Sequence, residues 1–336
     1  MSVKRLSNIE SLRIISIIMI VMMHIMGNAY NTHNAINHEL LLIINTIGNT
    51  GVTIFVLISG YFGIHFSINK FIKMMSVIWF YSILSYIISL FYFEESITLH
   101  GLKSALFPVL SRKYWFMSCY MVVFCFSPFL NKIVSTLSKS DFIKLLILML
   151  IFFAVAPTIF QPGIMQDGGK GLINMILAYL IGQYLKVYHF PKLIIEKSTI
   201  ILTTSLIIIF LINSFLSWRK GVTMMPLAKD NSIFIILASI AIFYKFVKIK
   251  IDSSIINYIA GYVFPIYLFQ EIVLKILSPY YRMISEDDTF IVYLLTGTLM
   301  IVILSIAVEN VRRVIFDKLV NFISNSVETR IAKKEL

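Results

Sequence analysis

The 336-residue sequence predicts an all-α, polytopic membrane protein with about ten transmembrane helices. Apolar residues make up 58% of the chain and its mean hydropathy is +0.86, which leaves too little polar surface for a water-soluble domain. Apolar windows of about 20 residues, each able to cross a hydrocarbon core of roughly 30 Å, recur along the whole chain. Helices are the expected spanning element because lipid requires backbone polar groups to be satisfied within the segment.

The first predicted span covers residues 9–27. A signal peptide has a short, uncharged core, whereas this segment contains Glu10, Arg13 and His24, so we predict a retained first helix. Nine further spans follow, separated by turn-forming or charged residues. They are predicted near residues 42–62, 72–93, 114–134, 142–160, 172–187, 198–216, 231–249, 255–277 and 289–310.

Residues 1–310 are predicted to form one membrane domain, and residues 311–336 a basic amphipathic tail on the cytoplasmic leaflet. Ten spans place both termini on the same side. Of the 29 lysines and arginines, nineteen lie in the tail and loops on the side that contains both termini, and nine lie in the loops of the other side. Because positive charge accumulates on the cytoplasmic side, we predict a multi-pass protein of the plasma or inner membrane with both termini cytoplasmic.

Other classes of protein fit the composition poorly. The net charge of +12 is spread over short loops and the tail rather than over one face, so no nucleic-acid partner is predicted. The two cysteines, Cys119 and Cys125, lie within one apolar segment, where they are expected to pack as small apolar residues. No metal-ligand spacing is present, and no metal site is predicted.

Two polar side chains share one face of the first helix. Arg13 and His24 are 11 residues apart, which is about 1100° of rotation and roughly 16 Å along the axis. Arg13 lies toward the cytoplasmic end and His24 toward the outer side. This spacing suits an extended coenzyme A, with its nucleotide at the inner surface and its thioester within the membrane. The alternatives are an arginine that extends to the inner interface and a histidine satisfied by a neighbouring helix.

The segment NIESLRIISIIMIVMMH, residues 8–24, resembles the first-helix signature of acyltransferase family 3, with the family's Arg-x10-His pair at Arg13 and His24. This family comprises integral membrane O-acyltransferases that modify bacterial surface glycans. Further similar segments follow in the family's order: GVTIFVLISGYF (51–62), SINKFIKMM (67–75), YWFMSCY (114–120), ILAYLIGQYLK (176–186) and NYIAGYVFPIYLFQE (257–271).

The resemblance implies an O-acetyltransferase that moves an acetyl group from cytoplasmic acetyl-CoA to a hydroxyl of a cell-surface polysaccharide or its lipid-linked precursor. The implied partners are acetyl-CoA as donor, this glycan as acceptor, and membrane lipids. Two other classes remain open, a polysaccharide transporter or flippase and a non-catalytic glycan-binding membrane subunit, although neither explains the spacing of Arg13 and His24 as well. The glycine-rich segment 161–171 fits no phosphate loop and is predicted to be an outer loop that controls access of the acceptor.

The implied catalytic residue is His24, either as general base on a sugar hydroxyl or as the first acceptor of the acetyl group. Arg13 is expected to hold a phosphate of the coenzyme. Lys70 and Lys73 are predicted to assist it, with charge anchoring at the inner interface as the alternative. Glu271 is the second catalytic candidate, because a carboxylate at its depth should be paired or should line a cavity.

Three further residues are candidates for substrate binding. Tyr114 and Trp115 begin the fourth span at the outer interface, where aromatic belts are common and where a ring also suits a sugar. Glu10 precedes Arg13 by one helical turn and is predicted to orient its guanidinium or to form an ordinary helical pair. Gln270 stands where family members commonly have a histidine, so no catalytic histidine is predicted there.

Overall fold

The computed structural model describes residues 5–160 and 164–332. Helices account for the regular structure of the described residues, none of which lies in a β-strand, and this confirms the all-α fold class. The helices are α1 (Ser7–Met26), α2 (Ala35–Gly48), α3 (Thr50–Phe62), α4 (Ile68–Tyr92), α5 (Leu99–Leu106), α6 (Trp115–Thr136), α7 (Lys139–Leu150), α8 (Ala156–Ile159), α9 (Leu172–Val187), α10 (Lys192–Lys220), α11 (Ile233–Lys248), α12 (Ser254–Ile259), α13 (Val263–Met283) and α14 (Phe290–Ala332).

The loops alternate between two ends of the bundle, which we call the N-terminal end and the opposite end. At the N-terminal end the Asn8 amide donates to the Phe246 carbonyl at 2.8 Å. At the opposite end the Tyr30 hydroxyl donates to the Thr223 carbonyl at 3.0 Å. Further pairs join Asn69 to Asn325 and Asn131 to Ile64 at the N-terminal end, and Thr32 to Ser285 and Arg112 to Lys170 at the opposite end.

Eight helical segments of the described chain are long and apolar enough to cross a membrane, which confirms a polytopic membrane protein. The helices α9 and α11 have 16 residues each, a length of about 24 Å that falls short of a typical hydrocarbon core. Both nevertheless connect the two ends of the bundle. The prediction of ten crossings therefore depends on these two short helices.

Two predicted spans contain a break. The second predicted span extends from α2 into α3 and turns at Asn49. It begins earlier than predicted because Asn34 caps α2, where its side chain accepts a hydrogen bond from the Asn37 N–H at 3.1 Å. The ninth consists of α12 and α13 joined by a short 3₁₀ segment, Ala260–Tyr262. This second break exposes backbone inside the bundle and lines a cavity, as described below.

The last span and the predicted tail form one continuous helix, α14, within the described residues. The Glu309 carboxylate is buried, and it accepts from the Nε atoms of Arg312 and Arg313, each at 2.8 Å. These i,i+3 and i,i+4 pairs stabilise the helix across the predicted boundary at residue 310. The Tyr81 hydroxyl also donates to Glu309 at 3.1 Å and joins α4 to α14. The place of the tail relative to the membrane surface stays a prediction.

The helices α3 and α9 approach each other closely where Gly60 of α3 meets Gly182 of α9. A Cβ atom added to Gly60 would collide with the carbonyl oxygen of Tyr179 and lie 3.1 Å from the Gly182 Cα. A Cβ atom on Gly182 would lie 2.8 Å from the backbone nitrogen of Tyr61. Small residues are common where membrane helices pack this tightly. This contact fixes the position of α3, which lines the Arg13 cavity described below.

Candidate active site

Two cavities lie on either side of Tyr267 in the bundle. The first, which we call the Arg13 cavity, has a volume of about 280 Å³ and reaches the break at residues 260–261. The second, the His24 cavity, has a volume of about 1040 Å³ and is lined partly by loops of the opposite end. The lining includes Ser59, Phe116 and Tyr120 in the Arg13 cavity, and Trp115, Lys170 and Glu271 in the His24 cavity.

The first helix brings Arg13 to one cavity and His24 to the other. Ile17 and Ile20, which lie between them on the same face of α1, line the Arg13 cavity. The arrangement agrees with the common face that the 11-residue spacing predicts. One helix therefore presents a cation to the smaller cavity and an imidazole to the larger one.

The Arg13 guanidinium is held by Glu10, as the sequence predicts. Arg13 Nη1 lies 3.3 Å from Glu10 Oε1, and the Glu10 residue is only 7% exposed. The Arg13 side chain keeps about a third of its surface, 34%, accessible. The pair thus orients the guanidinium without enclosing it. A direct role of Glu10 in binding substrate stays a prediction.

The His24 imidazole lies against Gln270 of α13. The Gln270 amide nitrogen donates to the Tyr267 carbonyl at 3.2 Å, and its amide oxygen is buried without a partner at hydrogen-bond geometry. The Gln270 side chain therefore contacts the candidate base.

Glu271 and Trp115 line the same cavity as His24, so the structure brings three predicted site residues together. Lys113 lies close to Glu271, and its ammonium donates to the Ser82 carbonyl at 2.9 Å. Burial lowers the pKa of Lys113 to about 8, an effect that the Glu271 carboxylate opposes. Glu271 thus has both features expected of a carboxylate at this depth, a nearby cation and a cavity.

The remaining predicted residues lie elsewhere. Tyr114 is 1% exposed and packs in the apolar core, so it lines neither cavity. Lys70 and Lys73 are exposed on the first turns of α4 and also line neither cavity, although the adjacent Met74 reaches the Arg13 cavity. Among the residues described, no cluster of His, Cys, Asp and Glu side chains is arranged to hold a metal ion.

Sequence reasoning missed Tyr267, which lines both cavities. It is 8% exposed, and its hydroxyl is buried beside the Phe116 backbone without a partner at hydrogen-bond geometry. A signal was present, because Tyr267 precedes Glu271 by one helical turn on the same face. The predicted outer loop 161–171 contributes Lys170 to the His24 cavity, while residues 161–163 lie outside the described residues.

Comparison with known proteins bears on the chemistry of both cavities. The chain matches the model of the acyltransferase domain family from residue 6 to residue 309. This range contains every predicted site residue. No curated protein and no solved structure matches the chain.

Proposed function

The chain belongs to this acyltransferase family and is a membrane acyltransferase, and we propose that it is an O-acetyltransferase of a surface glycan. In this proposal acetyl-CoA supplies the acetyl group from the cytoplasm. The acceptor is a hydroxyl of a cell-surface polysaccharide or of its lipid-linked precursor.

The observation that supports the proposal best is the pair of cavities that meet at Tyr267. The Arg13 cavity adjoins the N-terminal end and contains a cation suited to phosphate. The His24 cavity adjoins the opposite end and offers a base, a carboxylate and the Trp115 ring, which suits a sugar. A donor from one end and an acceptor from the other would thus meet near His24.

In the direct form of the reaction, neutral His24 accepts the proton of the acceptor hydroxyl as its oxygen attacks the thioester carbonyl carbon. The carbon–sulfur bond then breaks, and the coenzyme thiolate recovers the proton from the imidazolium. In the alternative form, a His24 nitrogen attacks the thioester carbon, the carbon–sulfur bond breaks, and the coenzyme leaves as its thiol with the imidazole proton. The acceptor oxygen then attacks the acetyl carbon, the carbon–nitrogen bond breaks, and the hydroxyl proton returns to the imidazole. General-base assistance of this kind contributes about 10²–10⁴-fold to the rate.

Other residues support this chemistry through their contacts. Gln270 orients the His24 ring, and the Tyr267 hydroxyl is free to donate to the oxyanion that develops on the carbonyl oxygen. The Tyr267 ring also separates the two cavities and limits contact of the thioester with water. The excess of lysine and arginine at the N-terminal end favours a cytoplasmic position for that end and hence for the donor.

The proposal is tested by the O-acetyl content of the surface polysaccharide, measured by proton NMR in a strain that lacks the gene. Wild type should restore O-acetylation, and His24→Ala should not, although it accumulates in the membrane. His33→Ala is the matched control, because this histidine is exposed and only its backbone N–H is bonded to Glu286. Normal O-acetylation by a well-accumulated His24→Ala protein would exclude the base role. Loss of the glycan itself from the surface of the deletion strain would favour a transporter.

A further inference from the structure

The mouth of the Arg13 cavity is formed by the break in the ninth span. Ala260 and Gly261 line the cavity together with Arg13. The only atom within 4 Å of a Cβ added to Gly261 would be Nη1 of Arg5, at 3.9 Å, among the described residues. The space beside the Gly261 Cα is therefore open except for one guanidinium, and the Gly261 carbonyl is bonded to a second, that of Arg313.

Arginines from three separate elements surround this mouth. Arg5, just before α1, donates from Nη1 to the Asn257 carbonyl at 3.0 Å. Arg313 of α14 donates from Nη2 to the Gly261 carbonyl at 2.9 Å. Arg13 lies deeper, within the cavity. Arg5 and Arg313 do not line the cavity themselves, but they bond to backbone carbonyls at or near its lining residue Gly261. Lys70 and Lys73, the basic residues that the sequence suggested for this purpose, neither line the cavity nor make such a contact.

The guanidiniums are held in fixed positions without full neutralisation. Arg313 lies 4.4 Å above the centre of the Tyr262 ring, and its Nε donates to Glu309 at 2.8 Å. Arg313 Nη1 and Arg5 Nη2 donate no hydrogen bond to any of the described residues. Among the described residues, Glu10, Glu309 and Asp317 form ion pairs with Arg13, Arg312 and Arg313, and no carboxylate forms one with Arg5.

We propose that Arg5 and Arg313 bind the 3′-phosphate of the donor's nucleotide, while Arg13 binds the diphosphate. The assignment rests on the proposed function and follows the order of groups along coenzyme A, in which the 3′-phosphate is farther from the thioester than the diphosphate is. Arg5 lies eight residues before Arg13, about 12 Å farther from His24 at the helical rise. Arginine is well suited to this task because its planar fork pairs with two phosphate oxygens.

The test compares binding of coenzyme A and 3′-dephospho-coenzyme A to the full-length protein in lipid nanodiscs, by isothermal titration calorimetry. Wild type should bind coenzyme A about 10-fold more tightly, as expected for one or two charged hydrogen bonds. Arg5→Gln should remove most of that preference and leave the affinity for 3′-dephospho-coenzyme A unchanged. Arg313→Lys, which keeps a charge beside Glu309, should reduce the preference in part.

Lys132→Gln and Lys192→Gln are matched controls, because they remove exposed charges from the same end of the bundle and should preserve the preference. The assignment is overturned if wild type binds the two compounds equally, if Arg5→Gln keeps the wild-type preference, or if either lysine variant loses it. Binding of neither compound by wild type would instead refute coenzyme A as the donor, a result that is distinguishable from failure of the phosphate assignment alone.

Discussion

Replacing Gly182 by alanine should destabilise the protein at the contact between α3 and α9. The new Cβ atom would collide with the Leu57 carbonyl oxygen and lie 2.8 Å from the Tyr61 nitrogen and 3.0 Å from the Gly60 Cα. These are backbone atoms, so the collision cannot be relieved by a side-chain rotation and the helices must separate. Overpacking of this kind costs about 1–3 kcal/mol.

The expected loss of thermal stability is about 2–10 °C in Tm, from the usual relation between unfolding free energy and Tm in proteins of this size. The measurement is fluorescence-detected thermal unfolding of purified protein in detergent. Gly27→Ala is the matched control, because Gly27 has helical φ and ψ and a Cβ there would meet no atom within 4 Å. A Gly182→Ala protein as stable as Gly27→Ala would refute the close backbone contact.

Four further outcomes are expected. Arg13→Ala should weaken binding of coenzyme A measured by calorimetry, and Arg13→Lys should restore it only in part, because a point charge replaces a planar fork; equal affinity in all three proteins would exclude a phosphate contact. Tyr267→Ala should join the two cavities and raise hydrolysis of acetyl-CoA without acceptor, detected as free thiol, relative to Tyr267→Phe, which also lacks the hydroxyl but keeps the ring; equal rates in the two variants would count against a separating role. A single cysteine in place of His33 should react with an impermeant maleimide in intact cells, whereas one in place of His65 should react only after permeabilisation. The reverse pattern would invert the topology. Burial raises the pKa of the Asp230 carboxyl to about 7, above the value near 3.9 that it has in the unfolded chain. The contribution of this carboxyl to the stability of the folded protein is therefore fully present below about pH 4 and is lost as the pH rises to 7. The Tm of Asp230→Asn should therefore rise relative to the Tm of wild type between about pH 4 and pH 7. A Tm difference that does not change with pH would contradict the raised pKa.

The sequence predicted those features that depend on neighbours along the chain. Each helical segment follows from a continuous apolar run, since burial in lipid depends on local hydropathy. The Glu10–Arg13 pair and the common face of Arg13 and His24 follow from helical geometry alone. The break at residues 260–262 and the continuation of α14 beyond residue 310 were not predicted, because hydropathy carries no information about a 3₁₀ turn or a buried cluster of charges.

The tertiary structure alone decided which side chains share a cavity. The resemblance suggested Lys70 and Lys73 as assistants of Arg13, with charge anchoring as the alternative, and that role stays a prediction. Only the packing of α13 and α14 near the start of α1 brings Arg5 and Arg313 to the backbone at residues 257 and 261. Likewise, Trp115 and Glu271 were predicted separately and Gln270 was predicted to have no catalytic role, and their meeting around His24 depends on how α6 and α13 pack against α1. These three residues are more than 90 positions from His24 in the chain. They meet it only because apolar segments of similar composition pack in one arrangement, which neither hydropathy nor periodicity can specify.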